Sequence, residues 1–397
     1  MGAGPRRPRG AARLGVGLVL AAGLLLGCRS SSLTEWESRP GPYDRFADGQ
    51  VERLAEWRTA LDSGRAGDVL GELEDEQRRA PENLELGALL QDARLSTMQL
   101  GGFVSDVDAT LAGRGPLNEG GPTERLRRAY AAWAAERGTA RAWVLAARIE
   151  PDAEAALWLL QRALEVDPEC LWAHYGRAHN ELKAGRLQGA QEALARALEI
   201  DPGHPRARRL EATLLGLIDN DREALRALER WLAETSSDPR VSERERLEAR
   251  LDRVGLELDL GRFNDAALHL DELRPTEPEA AWRAELYRAV AAEALGRAEL
   301  ALAAARRARQ LKPSSYRAWV QEALLLEYQF ADPLAALEAW RRAQDLAGQA
   351  ASGRRRASVG GDAATTLIQA RVAIARLQRE LTTDESELAP GFAGPDA

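Results

Sequence analysis

The stretch Leu171 to Pro202 reads LWAHYGRAHNELKAGRLQGAQEALARALEIDP. Ala178 sits in its first half and Gly185 near its middle. Ala190, Leu194 and Ala197 follow at offsets of 4 and 7, and the stretch ends on Pro202. Offsets of 4 and 7 put side chains on one face of an α-helix, and alanines on that face let a neighbouring helix come close. Glycine suits the left-handed turn after a helix, and proline cannot continue one. The stretch therefore predicts two short helices joined by a tight turn at Gly185.

The pattern repeats in both directions. The triplets Ala156/Leu160/Ala163, Ala190/Leu194/Ala197, Ala224/Leu228/Trp231, Ala266/Leu270/Leu273, Ala301/Ala305/Ala308 and Ala336/Trp340/Ala343 have leading alanines 34, 34, 42, 35 and 35 residues apart. A polar insert near Thr235 to Ser242 (TSSDPRVS) accounts for the longer step. Gly185, Gly261 and Gly296 each precede a leading alanine by five residues, at the expected turn. Pro168, Pro202, Pro278 and Pro313 are expected to close four of the units, because proline also restrains the residue before it.

These residues resemble the tetratricopeptide repeat (TPR), a helix-turn-helix unit of about 34 residues. Leu171 to Pro202 fits the family pattern at Ala178, Gly185, Leu187, Ala190, Leu194, Ala197 and Pro202; it departs from it at His174, where Trp is usual, and at Arg177, where Leu is usual. The ankyrin TPLH signature is absent, and HEAT units run longer. The resemblance implies an all-α, right-handed TPR α-solenoid of six to eight repeats with a C-terminal capping helix. Six units span about Arg137 to Gly348, and those starting near Pro205 and Arg317 are the least regular. Gln50 to Pro81 reads as a degenerate seventh unit. Leu84 to Leu100 and Val104 to Leu111 read as a further helical pair, and Thr123 to Arg137 as a helix after the loop Gly113 to Pro122. The expected segments are degenerate repeats at 50–122, the solenoid at 123–349, a linker at 350–361, a capping helix at 362–381 and a disordered tail at 382–397. Ala364, Leu367, Ile368, Val372 and Ala375 are read as the apolar face of the cap, which would leave a solvated outer face as terminal repeats require.

The N-terminus reads as an address. Arg6, Arg7, Arg9 and Arg13 precede the apolar run Leu14 to Gly27 (LGVGLVLAAGLLLG). Fourteen residues at about 1.5 Å each span roughly 21 Å, short of the ~30 Å hydrocarbon core, so the run suits a signal-peptide core better than a permanent span. Leu25-Leu26-Gly27-Cys28 resembles the bacterial lipobox, in which small residues admit the lipoprotein signal peptidase and the cysteine thiol is diacylated. The resemblance implies cleavage of residues 1–27, lipidation at Cys28 and a flexible tether over 28–49. It also implies a place in the bacterial cell envelope, and Arg29 after the cysteine points to the outer membrane, facing the periplasm. Two acyl chains suffice for stable anchoring where one does not. The alternative is an ordinary secretory signal with an incidental cysteine.

Composition excludes several classes. The formal net charge is −8, and removal of four arginines with residues 1–27 leaves −12. An acidic chain without a basic stripe argues against nucleic acid as a partner. Two cysteines, Cys28 and Cys170, exclude a disulfide scaffold. His174, His179, His204 and His269 form no metal-ligand spacing, and no nucleophile elbow, phosphate loop or dinucleotide motif occurs. No metal, cofactor or catalytic residue is expected. Cys170 is read as a packing residue at a helix entry, and Arg354-Arg355-Arg356-Ala-Ser358 as a solvated hinge.

Function is left to a binding groove. In the TPR family the first helix of each unit lines the concave face at its second, fifth, ninth, twelfth and thirteenth positions. Carried onto Leu171 to Pro202 these are Trp172, Tyr175, His179, Leu182 and Lys183, and in the unit starting at Pro205 the second and fifth are Arg206 and Arg209. Aromatic residues beside cations are the types that dominate binding hot spots, and they suit an extended peptide bearing carboxylates. Alternatively, Trp172 and Tyr175 pack between helices, and Arg209 pairs with Glu211 or Asp-rich neighbours. The carboxylate clamp of some TPRs is not matched, since Asn180 and Lys183 stand at the wrong positions for it. The expectation is a non-enzymatic lipoprotein scaffold that docks protein partners, similar in plan to lipoproteins that serve pilus, secretin or outer-membrane protein assembly. The alternatives are a glycan or small-ligand binding lipoprotein, or a cell-wall hydrolase with an unrecognised site.

Overall fold

The repeat pattern appears in the computed structural model as a row of helical hairpins. It describes residues 41–97, 121–353 and 361–387, and among them there are seventeen α-helices, one short 3-10 turn (Pro42–Asp44) and no strand. The first helices are α1 (Gln50–Asp62), α2 (Ala66–Arg79), α3 (Leu84–Thr97) and α4 (Pro122–Arg137). Six hairpins follow: α5/α6 (Ala140–Arg148, Ala153–Val166), α7/α8 (Leu171–Lys183, Leu187–Ile200), α9/α10 (Pro205–Leu217, Asp221–Glu234), α11/α12 (Glu243–Asp259, Phe263–Glu272), α13/α14 (Pro278–Ala294, Ala298–Leu311) and α15/α16 (Tyr316–Tyr328, Pro333–Gly353). The last helix is α17 (Gly361–Glu387). Apart from α3, which packs on α2 and on α5 rather than on α4, the described helices pack mainly on their neighbours in the chain, as a solenoid of stacked repeats requires.

The alanine triplets are the seams of the stack. Every one of their residues is 5% exposed or less. The turns follow from backbone sterics. Gly185, Gly261 and Gly296 have φ of +75°, +74° and +72°, and in the two least regular units the same place is taken by Asp219 (φ +58°) and Ala331 (φ +50°). A residue with a Cβ pays about 1 to 2 kcal/mol in that region, so the repeat geometry is kept there against local preference. Side-chain caps start several helices: Asp152 accepts from Ala155 N at 2.9 Å, and Ser242 and Glu245 form a reciprocal capping box at α11. Pro278 departs from its expected role. It does not close a unit but occupies the first turn of α13, where its missing N–H costs nothing.

Three boundaries differ from expectation. Residues 41–49 are not part of a loose tether: Tyr43 donates to Asp167 Oδ2 at 2.7 Å and Trp172 Nε1 donates to Asp44 Oδ1 at 2.8 Å. The expected linker at 350–361 is shortened by α16, which runs on to Gly353, and α17 continues to Glu387 into the expected tail. The cap is also rotated. Its buried residues are Ala363, Thr366, Ala370, Ala373 and Leu377, whereas Ile368 and Val372 are 64% and 62% exposed. Arg376 explains the rotation: it donates to Glu327 and to Tyr328 Oη at 2.8 Å, which turns the small residues toward α16. Val104 to Leu111, Cys28, Arg354 to Ser358 and residues 388–397 lie outside the described residues.

Candidate functional site

All seven residues proposed from the repeat positions line one cleft. Its narrower part, about 200 Å³, lies between α5, α6 and α7 and is bordered by Trp172, Tyr175, His179, Lys183 and Arg206. Its wider part, about 550 Å³, lies between α7, α9 and α11 and adds Leu182 and Arg209. Tyr175, His179, Lys183 and Arg206 border both parts, so α7 forms the ridge between them. The spacing dictates this arrangement: residues 175, 179, 182 and 183 recur at offsets of 4, 7 and 8 along one helix face.

The seven are not chemically equivalent. Trp172 is 7% exposed and stands edge-on to His204 and Tyr175, with ring centroids 5.4 and 6.3 Å away. It forms a wall of the cleft rather than an exposed knob, because its N–H is engaged by Asp44. Tyr175 is half-buried, and burial pushes its phenol above the ordinary value. His179 and Lys183 are exposed one turn apart, and neither has a hydrogen-bond or ion-pair partner among the described residues. Loss of solvent along the cleft and the nearby Lys183 ammonium push the His179 imidazole below its ordinary value, so it is neutral at pH 7.

The two arginines do not form the basic patch that the sequence suggested. Arg206 donates to Glu85 at 2.7 Å, stands 3.6 Å from Glu245 and lies 5.6 Å over the Trp172 ring. Arg209 pairs with Asp252 and lies 5.7 Å over Trp231; Glu211 takes Arg208 instead. A guanidinium taken partly out of water needs such partners, and Glu85 comes from α3, far upstream. Arg148 and Arg244, also on the cleft, pair with Asp92 and Glu277, so among the described residues Lys183 is the cleft cation without an ion-pair partner.

Residues missed by sequence reasoning complete the wider part: Leu217, Trp231, Arg244, Glu245 and Glu248. Glu248 had a legible signal. The same repeat count that gives Trp172 and Arg206 gives Glu248 at the second position of the next unit and Arg283 in the one after. Arg283 donates to Glu248 at 2.6 Å and to Asp252 at 2.7 Å, so the second positions of these two units pair with each other. Cys170 is fully buried, and burial pushes its thiol up to about 12, which leaves it a packing residue.

Comparisons with known proteins bear on the fold. The sequence profile of the Tetratricopeptide repeat matches residues 147–214 and 181–243. No curated protein matches the sequence. Among solved structures, a chain of the APC/C hetero-tetramer Cut9-Hcn1 is similar over 82% of this chain with a TM-score of 0.53 and 14% identity. This chain spans 57% of the length of that one. PilW, a type IV pilus biogenesis factor, aligns over 49% of this chain and 86% of its own, at 20% identity and a TM-score of 0.42. Yeast Tom70 aligns over 87% of this chain and 68% of its own, at 14% identity and a TM-score of 0.43. The fold is a TPR α-solenoid.

Proposed function

We propose that the chain is a non-enzymatic scaffold that docks a protein partner, as an extended peptide segment, in the cleft along α7. The observation that carries this reading is the continuous cleft bordered by all seven repeat-position residues, with exposed and unpartnered His179 and Lys183 on its dividing ridge. Tyr175, Leu182 and Leu217 offer apolar contact while Lys183 supplies a cation, the mixture that peptide grooves use for area and direction. His179→Ala/Lys183→Ala changes no internal contact, so the solenoid should stay folded. Cross-linking capture from envelope membranes should then lose the partner retained by the wild type. Equal capture by both forms would remove the groove reading.

In the same proposal the chain is held at the bacterial cell envelope, in the outer membrane facing the periplasm, by acyl chains on Cys28. Among the described residues no helix is long and apolar enough to cross a membrane. The lipobox resemblance of Leu25 to Cys28 supports the anchor, and two acyl chains give stable attachment. Labelled palmitate should enter the wild type and not Cys28→Ala; equal labelling of the two would remove the anchor.

A further inference from the structure

A second cleft, of about 630 Å³, opens where the end of α12 meets the hairpin α13/α14. From α13 it takes Ala281, Glu285 and Arg288, which recur at offsets of 4 and 7 on one helix face. Arg283, which donates to Glu248 on the groove, stands two residues on from Ala281 and so about 200° round the same helix. The second cleft therefore faces away from the groove.

Its charges are unbalanced. Arg274, Arg288 and Arg307 border it with a single carboxylate, Glu285, so the lining carries three positive charges against one negative, or +2, in a chain of net charge −8. Arg288 donates to Glu285 Oε1 and Arg307 donates to Glu285 Oε2 at 2.7 Å, so two guanidiniums draw on one acid. Arg288 also donates to the carbonyl of Leu270 at 3.0 Å, and Arg274 to the carbonyls of Asp271 and Leu273. These bonds satisfy the C-terminal carbonyls of α12 and gather the three side chains at one rim. Arg274 has backbone carbonyls as its partners and no acid among the described residues. A guanidinium has five N–H donors, so each of the three keeps donors to spare. Leu273, Pro275, Ala284 and Leu311 make the remaining wall apolar.

We propose that this cleft binds a small phosphate monoester with an apolar body, the phosphate meeting Arg274, Arg288 and Arg307 and the body lying on the apolar wall. Planar guanidinium forks match phosphate oxygens better than point-like ammonium groups do. A monoester near its dianionic state matches the local excess of +2. The volume falls within the roughly 300 to 1,000 Å³ usual for ligand pockets. Glu285 is then the built-in counter-ion, holding Arg288 and Arg307 in place and competing with the ligand for them. The site shares no residue with the groove and does not depend on the groove reading.

The test is calorimetric titration of the full chain with phenyl phosphate at low salt and about pH 8, where the monoester is a dianion. One site per chain should fill. Benzoate, with one charge, and inorganic phosphate, without the body, should each bind at least about tenfold more weakly. Arg274→Gln gives up only bonds to backbone carbonyls and should weaken binding at least about fivefold, and Arg274→Gln/Arg307→Gln should abolish it. Glu285→Gln should tighten binding about tenfold, a direction that damage to the fold does not produce. His179→Ala/Lys183→Ala should bind phenyl phosphate as the wild type does. No saturable binding, equal affinity of the wild type and the double arginine variant, or loss of binding in His179→Ala/Lys183→Ala overturns the proposal. Benzoate or inorganic phosphate binding as tightly as phenyl phosphate overturns the ligand class.

Discussion

Arg206 of α9 donates to Glu85 of α3 at 2.7 Å, across 121 residues of chain. Arg58 of α1 donates to the same carboxylate oxygen and also to the carbonyl of Pro239 in the insert. Arg206 continues toward Glu245 at 3.6 Å. The four charges alternate in sign and join the first hairpin to the middle of the solenoid. The polar insert that lengthens one repeat therefore has a structural use, since it meets α1.

Removing Glu85 should be costly. Its side chain is 6% exposed and Arg58's 7%, so Glu85→Ala leaves a buried guanidinium without its counter-charge, a change worth about 3 to 5 kcal/mol. Urea unfolding should show that loss, and Glu85→Gln a smaller one. Burial alone would push the Glu85 carboxyl up, but the Arg206 and Arg58 guanidiniums outweigh it and hold it below its ordinary value. A lowered carboxyl stabilises the fold above its unfolded value of about 4.3 and loses that contribution as pH falls through the lower folded value. The wild type should thus lose stability below about pH 4 more steeply than Glu85→Gln.

His204 acts in a different pH window. Its ring accepts from Ala207 N at 3.3 Å as the cap of α9, and burial pushes it down to about 4. A lowered imidazole costs nothing above its unfolded value of about 6.5 and destabilises the fold as pH drops from there toward 4, because the unfolded chain takes up the proton first. His204→Asn keeps a capping acceptor and removes the titration. Thermal unfolding followed between pH 7 and 4.5 should fall less for His204→Asn than for the wild type; parallel curves would assign the acid loss to other groups.

Gly176 sits where α7 crosses α6, and a Cβ there would stand 2.8 Å from Leu160 Cδ2. Leu160 is 2% exposed and cannot swing away freely. Gly176→Ala should therefore destabilise by about 1 to 3 kcal/mol despite alanine's better helix propensity, seen as a lower urea midpoint with an unchanged slope. Gly71, with open space around it, is the control, and Gly71→Ala should raise stability slightly.

The groove residues were legible in the sequence because repeat position fixes which face of a helix a residue occupies. What each side chain does there was not legible. Arg206 and Arg209 count as groove cations by position, yet their charges are spent on Glu85 and Asp252, which come from other units. No local pattern links residue 85 to residue 206. In the same way, Trp172 has the right position, but its N–H is taken by a turn that composition presents as tether. Period is a local property; charge pairing across a superhelix is not.

The cap shows the same limit within one helix and supplies a direct test. Two apolar stripes run along α17. The more hydrophobic one, with Ile368 and Val372, points outward, whereas the smaller one, with Ala370 and Ala373, is 0% and 5% exposed against α16. Close helix approach favours small side chains, and the Arg376 bonds to Glu327 and Tyr328 fix the rotation that uses them. Hydrophobicity and packing thus disagree, and packing decides. Ile368→Gln and Val372→Gln should change stability by no more than about 0.5 kcal/mol, as exposed substitutions do. Ala370→Gln should cost about 2 kcal/mol or more, since it overfills a closed seam and buries an amide. Urea unfolding of the three variants decides between the stripes, and a larger loss for Ile368→Gln than for Ala370→Gln would restore the outward stripe as the packed one.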